Sequence, residues 1–157
     1  MQLAEVEAAL RISLAGTLPG LEAQIRFAPY PPRSGPPGPQ PRTAAALLLL
    51  YPGADGVAIP LTVRAQTLPR HAGQISLPGG ATDPGETLVD AALREAAEEI
   101  GIDTAAVRIL GELTPVHVIV SGFTLHPIVG VTDRPPEFVP APDEVSEASV
   151  SRERTSR

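Results

Sequence analysis

The 157-residue sequence has no cysteine and no tryptophan, and all 12 of its basic residues are arginine. The lack of cysteine excludes disulfides, thiolate catalysis and Cys-based zinc sites. Aromatic residues make up only 3% of the chain. That leaves too few rings for the stacking platform on which single-stranded nucleic-acid binders rely. The formal net charge is -6, with no basic stripe of the kind that binds nucleic acid or an anionic membrane surface. Neither nucleic acid nor membrane is expected as a partner. The longest apolar run, residues 44–50, is far too short to span a bilayer. The N-terminus has no charged-then-apolar signal pattern, and the expectation is a soluble, cytoplasmic protein. Hydrophobic residues at 43% are enough for a core, built mostly from Leu, Val, Ile and Ala.

The length fits one domain. Residues 3–15 carry Leu3, Val6, Leu10 and Leu14 at helical spacing. The segment 17–20, with Pro19 and Gly20, ends that helix. Residues 28–42 are proline-rich and read as an extended linker. Residues 43–51 read as a buried strand, residues 53–56 as a turn and residues 57–64 as the return strand. A short strand is expected over 74–77. The clearest helix covers 87–100, with Thr87 as N-cap, Asp90 as an acidic capping-box partner and Gly101 as C-terminal cap. Leu88, Ala92 and Ala96 form its apolar stripe, extended by Ala91 and Ile100. Strands follow over 107–113, 116–120 and 123–131. A domain of residues 1–147 is expected, followed by a polar, disordered or altered tail over 148–157.

Glu95, Glu98 and Glu99 stand at i, i+3 and i+4 and share one helix face. Like charges at that spacing repel by about 0.2–0.5 kcal/mol per pair. A solvated acidic face is the bland explanation. A hard divalent cation is the sharper one, because oxygen ligands suit it and its charge cancels the repulsion. Gly79, Gly80 and Gly85 before the helix and Gly101 after it place the cluster between two turns.

The run Gly80, five residues, Glu86, seven residues, Arg94-Glu95, Ala96, one residue, Glu98-Glu99, one residue, Gly101-Ile102 resembles the Nudix hydrolase signature. Ala96 is a small occupant of its apolar position. The resemblance implies an α/β fold, the Nudix α/β/α sandwich with a mixed central β-sheet. It implies hydrolysis of a nucleoside diphosphate linked to another group, with Mg²⁺ or Mn²⁺. Carried over by position, Glu95, Glu98 and Glu99 resemble the metal ligands, with the Gly80 carbonyl and Glu86 completing the metal site. Glu86 also resembles the supporting acid of the motif, and Arg94 the arginine that orients its carboxylates. The general base stays open between Glu95 and the late acids Glu144 and Glu147.

Upstream, Leu61-Thr62, Arg64, Arg70, Gly73 and Pro78-Gly79-Gly80 resemble the extra motif of the coenzyme A pyrophosphatase branch. Ala65 and Leu77 depart from its Ser and Phe. Ser121-Gly122-Phe123 and the segment 127–130 resemble that branch too. The branch implies cleavage of coenzyme A or its thioesters to 3′,5′-ADP and 4′-phosphopantetheine. Arg64, Arg70, His71 and Gln74 become the substrate-binding candidates, the arginines through forked hydrogen bonds to phosphate. The alternatives are another substrate such as ADP-ribose or a dinucleoside polyphosphate, and a non-catalytic Nudix-like binding module. His117 and His126, in apolar strand contexts, are expected to be satisfied structural residues. Oligomeric state stays open, a homodimer included.

Overall fold

A computed structural model of the chain describes residues 2–27, 42–64, 73–118, 122–143 and 145–151. The elements run α1 (Leu3–Ala15), α2 (Gly20–Phe27), β1 (Arg42–Gly53), β2 (Gly56–Arg64), β3 (Ile75–Ser76), β4 (Gly79–Ala81), α3 (Leu88–Ile100), β5 (Arg108–Glu112), β6 (Val116–Val118), β7 (Phe123–Val131) and β8 (Val145–Ser151). A 3-10 turn, Thr104–Ala106, links α3 to β5.

β1 organises the sheet. Along most of its length it pairs in parallel with β7, from Arg42↔Phe123 to Leu50↔Val131. Its other edge pairs antiparallel first with β4, through Ala44–Ala46, and then with β2 at the hairpin. β5 and β6 extend β7 antiparallel. β2 leaves the hairpin to lie between β3 and β8. One parallel pairing among antiparallel ones makes the sheet mixed, as expected.

The run Ala44–Tyr51 is apolar on both faces because helices cover both sides. Ala45, Leu47 and Leu49 face α3 and join Ala91, Ala92, Ala96, Ile100 and Ile128 in one cluster. Leu50, Val129 and Val131 face the other way and meet Leu3, Val6, Leu10 and Leu14 of α1. The result is an α/β/α sandwich, with α1 and α3 docked by the stripes their sequence spacing marks.

Three elements differ from the sequence reading. α2 follows directly after Pro19, where only a helix end was expected; Gln24 ties it down by donating from Nε2 to the Thr114 and Pro115 carbonyls at 3.3 and 3.1 Å. Residues 79–81, read as a glycine turn, form β4. The boundary drawn after residue 147 is also corrected: β8 runs across it, with Ile59–Arg64 of β2 as its partner. Backbone amides make that pairing, and Ala148 and Val150 alternate with Ser149 and Ser151 at the period of a strand. The proline-rich segment apart from Arg42, and residues 119–120 of the expected strand 116–120, lie outside the described residues.

The ends of α3 are built as the sequence indicates. The Thr87 hydroxyl oxygen accepts the Asp90 amide at 3.1 Å, and the hydroxyl donates to the Asp90 carboxylate at 2.6 Å. The acid therefore closes on the hydroxyl of the cap rather than on its amide. Gly101 sits at φ 69°, in the left-handed region, and its amide donates to Ala97. A Cβ there would stand 2.8 Å from the Val139 Cβ. Gly101→Ala is therefore expected to destabilise the fold by at least the ~1–2 kcal/mol of the left-handed conformation, and Thr87→Ala by about 1 kcal/mol. Urea melts of the two variants read both effects; wild-type midpoints would contradict this account of the helix ends.

Candidate active site

The acidic face of α3 lies against β4 and the loop after it, and Arg94 is the hub. Its Nε donates to Glu86 Oε1 at 2.9 Å, and its Nη2 to Glu86 Oε2 at 3.1 Å. Nη2 also donates to the Ala81 carbonyl at 3.0 Å. Nη1 donates to Glu95 Oε1 at 2.8 Å and Glu98 Oε2 at 3.1 Å. All five guanidinium N–H groups are thereby engaged, which the planar fork of arginine allows and a lysine does not. The hydrogen bonds to Glu86 and Glu95 push the Arg94 pKa further up, so it is a fixed cation.

Glu86 is positioned from its own loop as well, its Oε2 accepting the Asp83 amide at 2.9 Å. The Arg94 hydrogen bonds, followed by the Asp83 amide, hold the Glu86 carboxyl below the usual carboxylate range. Glu86 is thus committed to Arg94. Both of its carboxylate oxygens are engaged in this arrangement.

Glu99, four residues on from Glu95, is only 5% exposed. Its Oε2 accepts the Gly79 amide at 3.1 Å. Burial of an acid is costly unless hydrogen bonds meet it, and the glycine backbone supplies one. Beside it, Gly80 has no room for a side chain: a Cβ would overlap the Glu95 carboxyl group. Glycine at 79–80 therefore lets the β4 backbone approach the carboxylates directly. Glu98, with a side chain 54% exposed, is the solvent-facing member.

The candidate donors are carboxylate oxygens beside a backbone carbonyl, the hard oxygen set that a small divalent cation takes. In chemistry the residues fit such an ion. As they stand, among the described residues no three acidic or histidine side chains are grouped so that they could hold one. Glu95 and Glu98 are both turned to Arg94.

The other predicted residues divide by position. Arg64 ends β2, its backbone opposite Val145 of β8. Gln74 is exposed immediately before β3. Arg70, His71 and Glu144 lie outside the described residues. His126 is satisfied as expected, Nδ1 standing 2.6 Å from Glu112 Oε1. His117 differs: among the described residues its buried Nδ1 has no hydrogen-bond partner. Sequence reasoning missed the Ala81 carbonyl and the Gly79 amide, because backbone groups leave no mark in residue identity. The Gly79-Gly80 pair was the available signal. Among the described residues, a cleft of about 540 Å³ lies at the β1–β2 hairpin beside Tyr51 and Phe138, and one of about 530 Å³ at the C-terminal end of α3 beside Ile102 and Glu137. None of Glu86, Glu95, Glu98 and Glu99 lines either cleft.

The fold and this loop–helix arrangement define a class. The NUDIX domain family model matches residues 41–155. The chain belongs to the Nudix family. Its curated relatives include the uncharacterized Nudix hydrolase NudL of Pectobacterium atrosepticum, 40% identical over 123 residues, or 78% of this chain. The NudL protein of Klebsiella pneumoniae (strain ATCC 700721 / MGH 78578) is 46% identical over 87 residues, or 55% of this chain. The chain spans 63% and 45% of the length of those two relatives. Among solved structures, the Nudix hydrolase RenU of M. smegmatis matches at TM-score 0.56 and 28% identity, over 70% of each chain. A C. elegans Ap4A hydrolase matches at TM-score 0.59 and 21% identity, over 68% of this chain and 77% of that one, a likeness of fold. Nudix hydrolases as a family use divalent metal ions.

The lowered Glu86 pKa sets a pH test. A carboxyl depressed in the folded state stabilises above its unfolded pKa, near 4.3 for Glu. That stabilisation is lost as pH falls through the lower folded value. The melting-temperature gap between wild type and Glu86→Gln should be full at pH 7 and close progressively below about pH 4.3. A gap unchanged down to acid unfolding would show that the Glu86 charge does not support the site.

Proposed function

We propose that this chain is a divalent-metal-dependent hydrolase of nucleoside diphosphate derivatives. The substrate we assign is coenzyme A or its thioesters, cleaved to 3′,5′-ADP and 4′-phosphopantetheine. The observation that carries the hydrolase reading is the carboxylate turn of α3, tied by Arg94 to Glu86 and the Ala81 carbonyl and by Glu99 to the Gly79 amide. A scaffold helix gains nothing from Glu95, Glu98 and Glu99 on one face.

In this reading Glu95, Glu98 and Glu99, with the Gly80 carbonyl, hold Mg²⁺ or Mn²⁺. Such an ion, when bound, neutralises the diphosphate and makes water a better nucleophile. The protein supplies the rest. Glu86 and Arg94 keep the carboxylate turn in place, so the donors are oriented before substrate arrives. The base for the attacking water is one of Glu95, Glu144 and Glu147. Arg64, Arg70, His71 and Gln74 receive the substrate, the arginines by forked contacts with its phosphates. The coenzyme A assignment is supported by the stretch from Leu61 to Gly80, whose spaced arginines suit a ligand carrying a phosphate beyond its diphosphate.

A second reading, another nucleoside diphosphate derivative such as ADP-ribose or a dinucleoside polyphosphate, uses the same site. Incubation with coenzyme A, ADP-ribose and a dinucleoside tetraphosphate under Mg²⁺, followed by product analysis, separates the two. We expect 3′,5′-ADP from coenzyme A at the highest kcat/KM; much faster cleavage of ADP-ribose would move the assignment to it. Glu98→Gln should lower kcat on the order of a hundredfold or more, the scale on which a lost charge-stabilising group acts. A purely binding protein would show no turnover to lose.

A further inference from the structure

The face of the sheet that carries α3 changes character beyond the helix. Under α3 it is apolar: Ala45 and Leu47 of β1 and Ile128 of β7 lie in the cluster that the helix covers. Paired residues of neighbouring strands share a face, and so do residues two apart along one strand. On that face β7 also presents His126, opposite Ala45, and Thr124, opposite Thr43. β6 adds His117, opposite Thr124, and β5 adds Glu112, opposite Ile128. These four residues are polar and only partly buried. The row that holds His126 runs through Ala45 to Gly80, where the Glu95 carboxyl group occupies the place of a Cβ. His126 is therefore two strand spacings, about 10 Å, from the carboxylate turn.

The two histidines offer opposite groups. His126 Nδ1 lies 2.6 Å from Glu112 Oε1. A carboxylate only accepts, so Nδ1 carries the hydrogen and Nε2 of the neutral ring is an acceptor. His117 Nδ1 is buried, and no described residue bonds it. Enclosed N–H groups go unpaired more rarely than enclosed acceptors, which places the hydrogen on Nε2 and makes it a donor. Among the described residues nothing bonds Nε2 of either ring, and neither Nε2 is enclosed. As diagonal neighbours on one face, the two residues stand about 7–8 Å apart at the backbone. One donor and one acceptor at that spacing complement a chain that carries amides. Charge divides the two sides of the turn. β4 and β2, with the backbone of Arg64, lie along one edge of β1, and β7 and β6 along the other. None of His117, Thr124, His126 and Glu112 is a fixed cation, so a phosphate suits the arginine side and an uncharged polar arm the other.

We infer that the face formed by His117, Thr124, His126 and Glu112 is the subsite for the amide-bearing arm of the substrate. His117 Nε2–H donates to an amide carbonyl, and His126 Nε2 accepts an amide N–H. In coenzyme A that arm is the 4′-phosphopantetheine half, and the 3′,5′-ADP half lies on the Arg64 side. This rests on the proposed coenzyme A reading.

The experiment is product inhibition of coenzyme A hydrolysis by the full chain under MgCl₂. The inhibitors are 4′-phosphopantetheine and 3′,5′-ADP, each tested alone on wild type, His117→Phe, His126→Phe and His117→Gln. Each phenylalanine variant should raise the inhibition constant of 4′-phosphopantetheine about three- to tenfold, the scale of one neutral hydrogen bond. The constant for 3′,5′-ADP should not move. His117→Gln, which keeps a side-chain donor, should lie close to wild type. His117→Phe should melt no lower than wild type, because it removes a buried polar atom that has no partner. An unchanged constant for 4′-phosphopantetheine, an equal or larger effect on 3′,5′-ADP, no recovery in His117→Gln, or a His117→Phe chain that does not fold would overturn the inference alone. No cleavage of coenzyme A by wild type would overturn it together with the coenzyme A reading.

Discussion

The hydrogen-bonded ion pair between Arg94 on α3 and Glu86 in the loop before it is the contact on which the site depends. It joins a helix to the segment that precedes it through two parallel N–H···O bonds, the geometry in which arginine binds carboxylate most strongly. Beside it stand a longer contact of Arg94 with Asp83, at 3.9 Å, and the bond to the Ala81 carbonyl. Through it, the Ala81 carbonyl, Glu95 and Glu98 are brought around one guanidinium. One exposed like-charge pair costs only tenths of a kcal/mol. The repulsion matters here because the acids are crowded against a backbone, where water screens them less than on an open helix.

That crowding is made by small residues. Ala45 on β1 and Ala91, Ala92 and Ala96 on α3 are fully buried. A helix seated on single methyl groups approaches the sheet closely. Gly79 and Gly80 continue the same economy on β4, where a side chain would collide with β1 or with Glu95. The low aromatic content and high alanine content, which say little by themselves, are what allow carboxylates on a helix to touch a strand backbone. The buried Glu99 carboxylate accepting the Gly79 amide is the product of that approach.

Much of the architecture was readable from periodicity. Leu3, Val6, Leu10 and Leu14 marked α1, and the structure begins and ends that helix at Leu3 and Ala15. The hairpin of β1 and β2 and the helix from Leu88 to Ile100 were equally plain, because long apolar patterns and glycine turns are local signals. The losses share a cause. α2 is a two-turn helix held by Gln24 bonds to distant carbonyls, which no local pattern records. β4 is three residues long, and β8 is made by backbone pairing along β2. His117 and His126 lay in similar strand contexts, and only their neighbours separate them: Glu112 reaches one, and no described residue reaches Nδ1 of the other.

Spacing alone determined that Glu95, Glu98 and Glu99 share a helical face and that Arg94, Glu86 and Gly80 recur at fixed distances from it, since an α-helix has one period. The tertiary structure decided how those residues are used. It paired Glu86 with Arg94, buried Glu99 on a glycine amide, and left Glu98 open to solvent. Those outcomes depend on where β4 passes relative to α3. That placement follows from pairing with β1 more than thirty residues earlier, a distance over which local sequence carries no register.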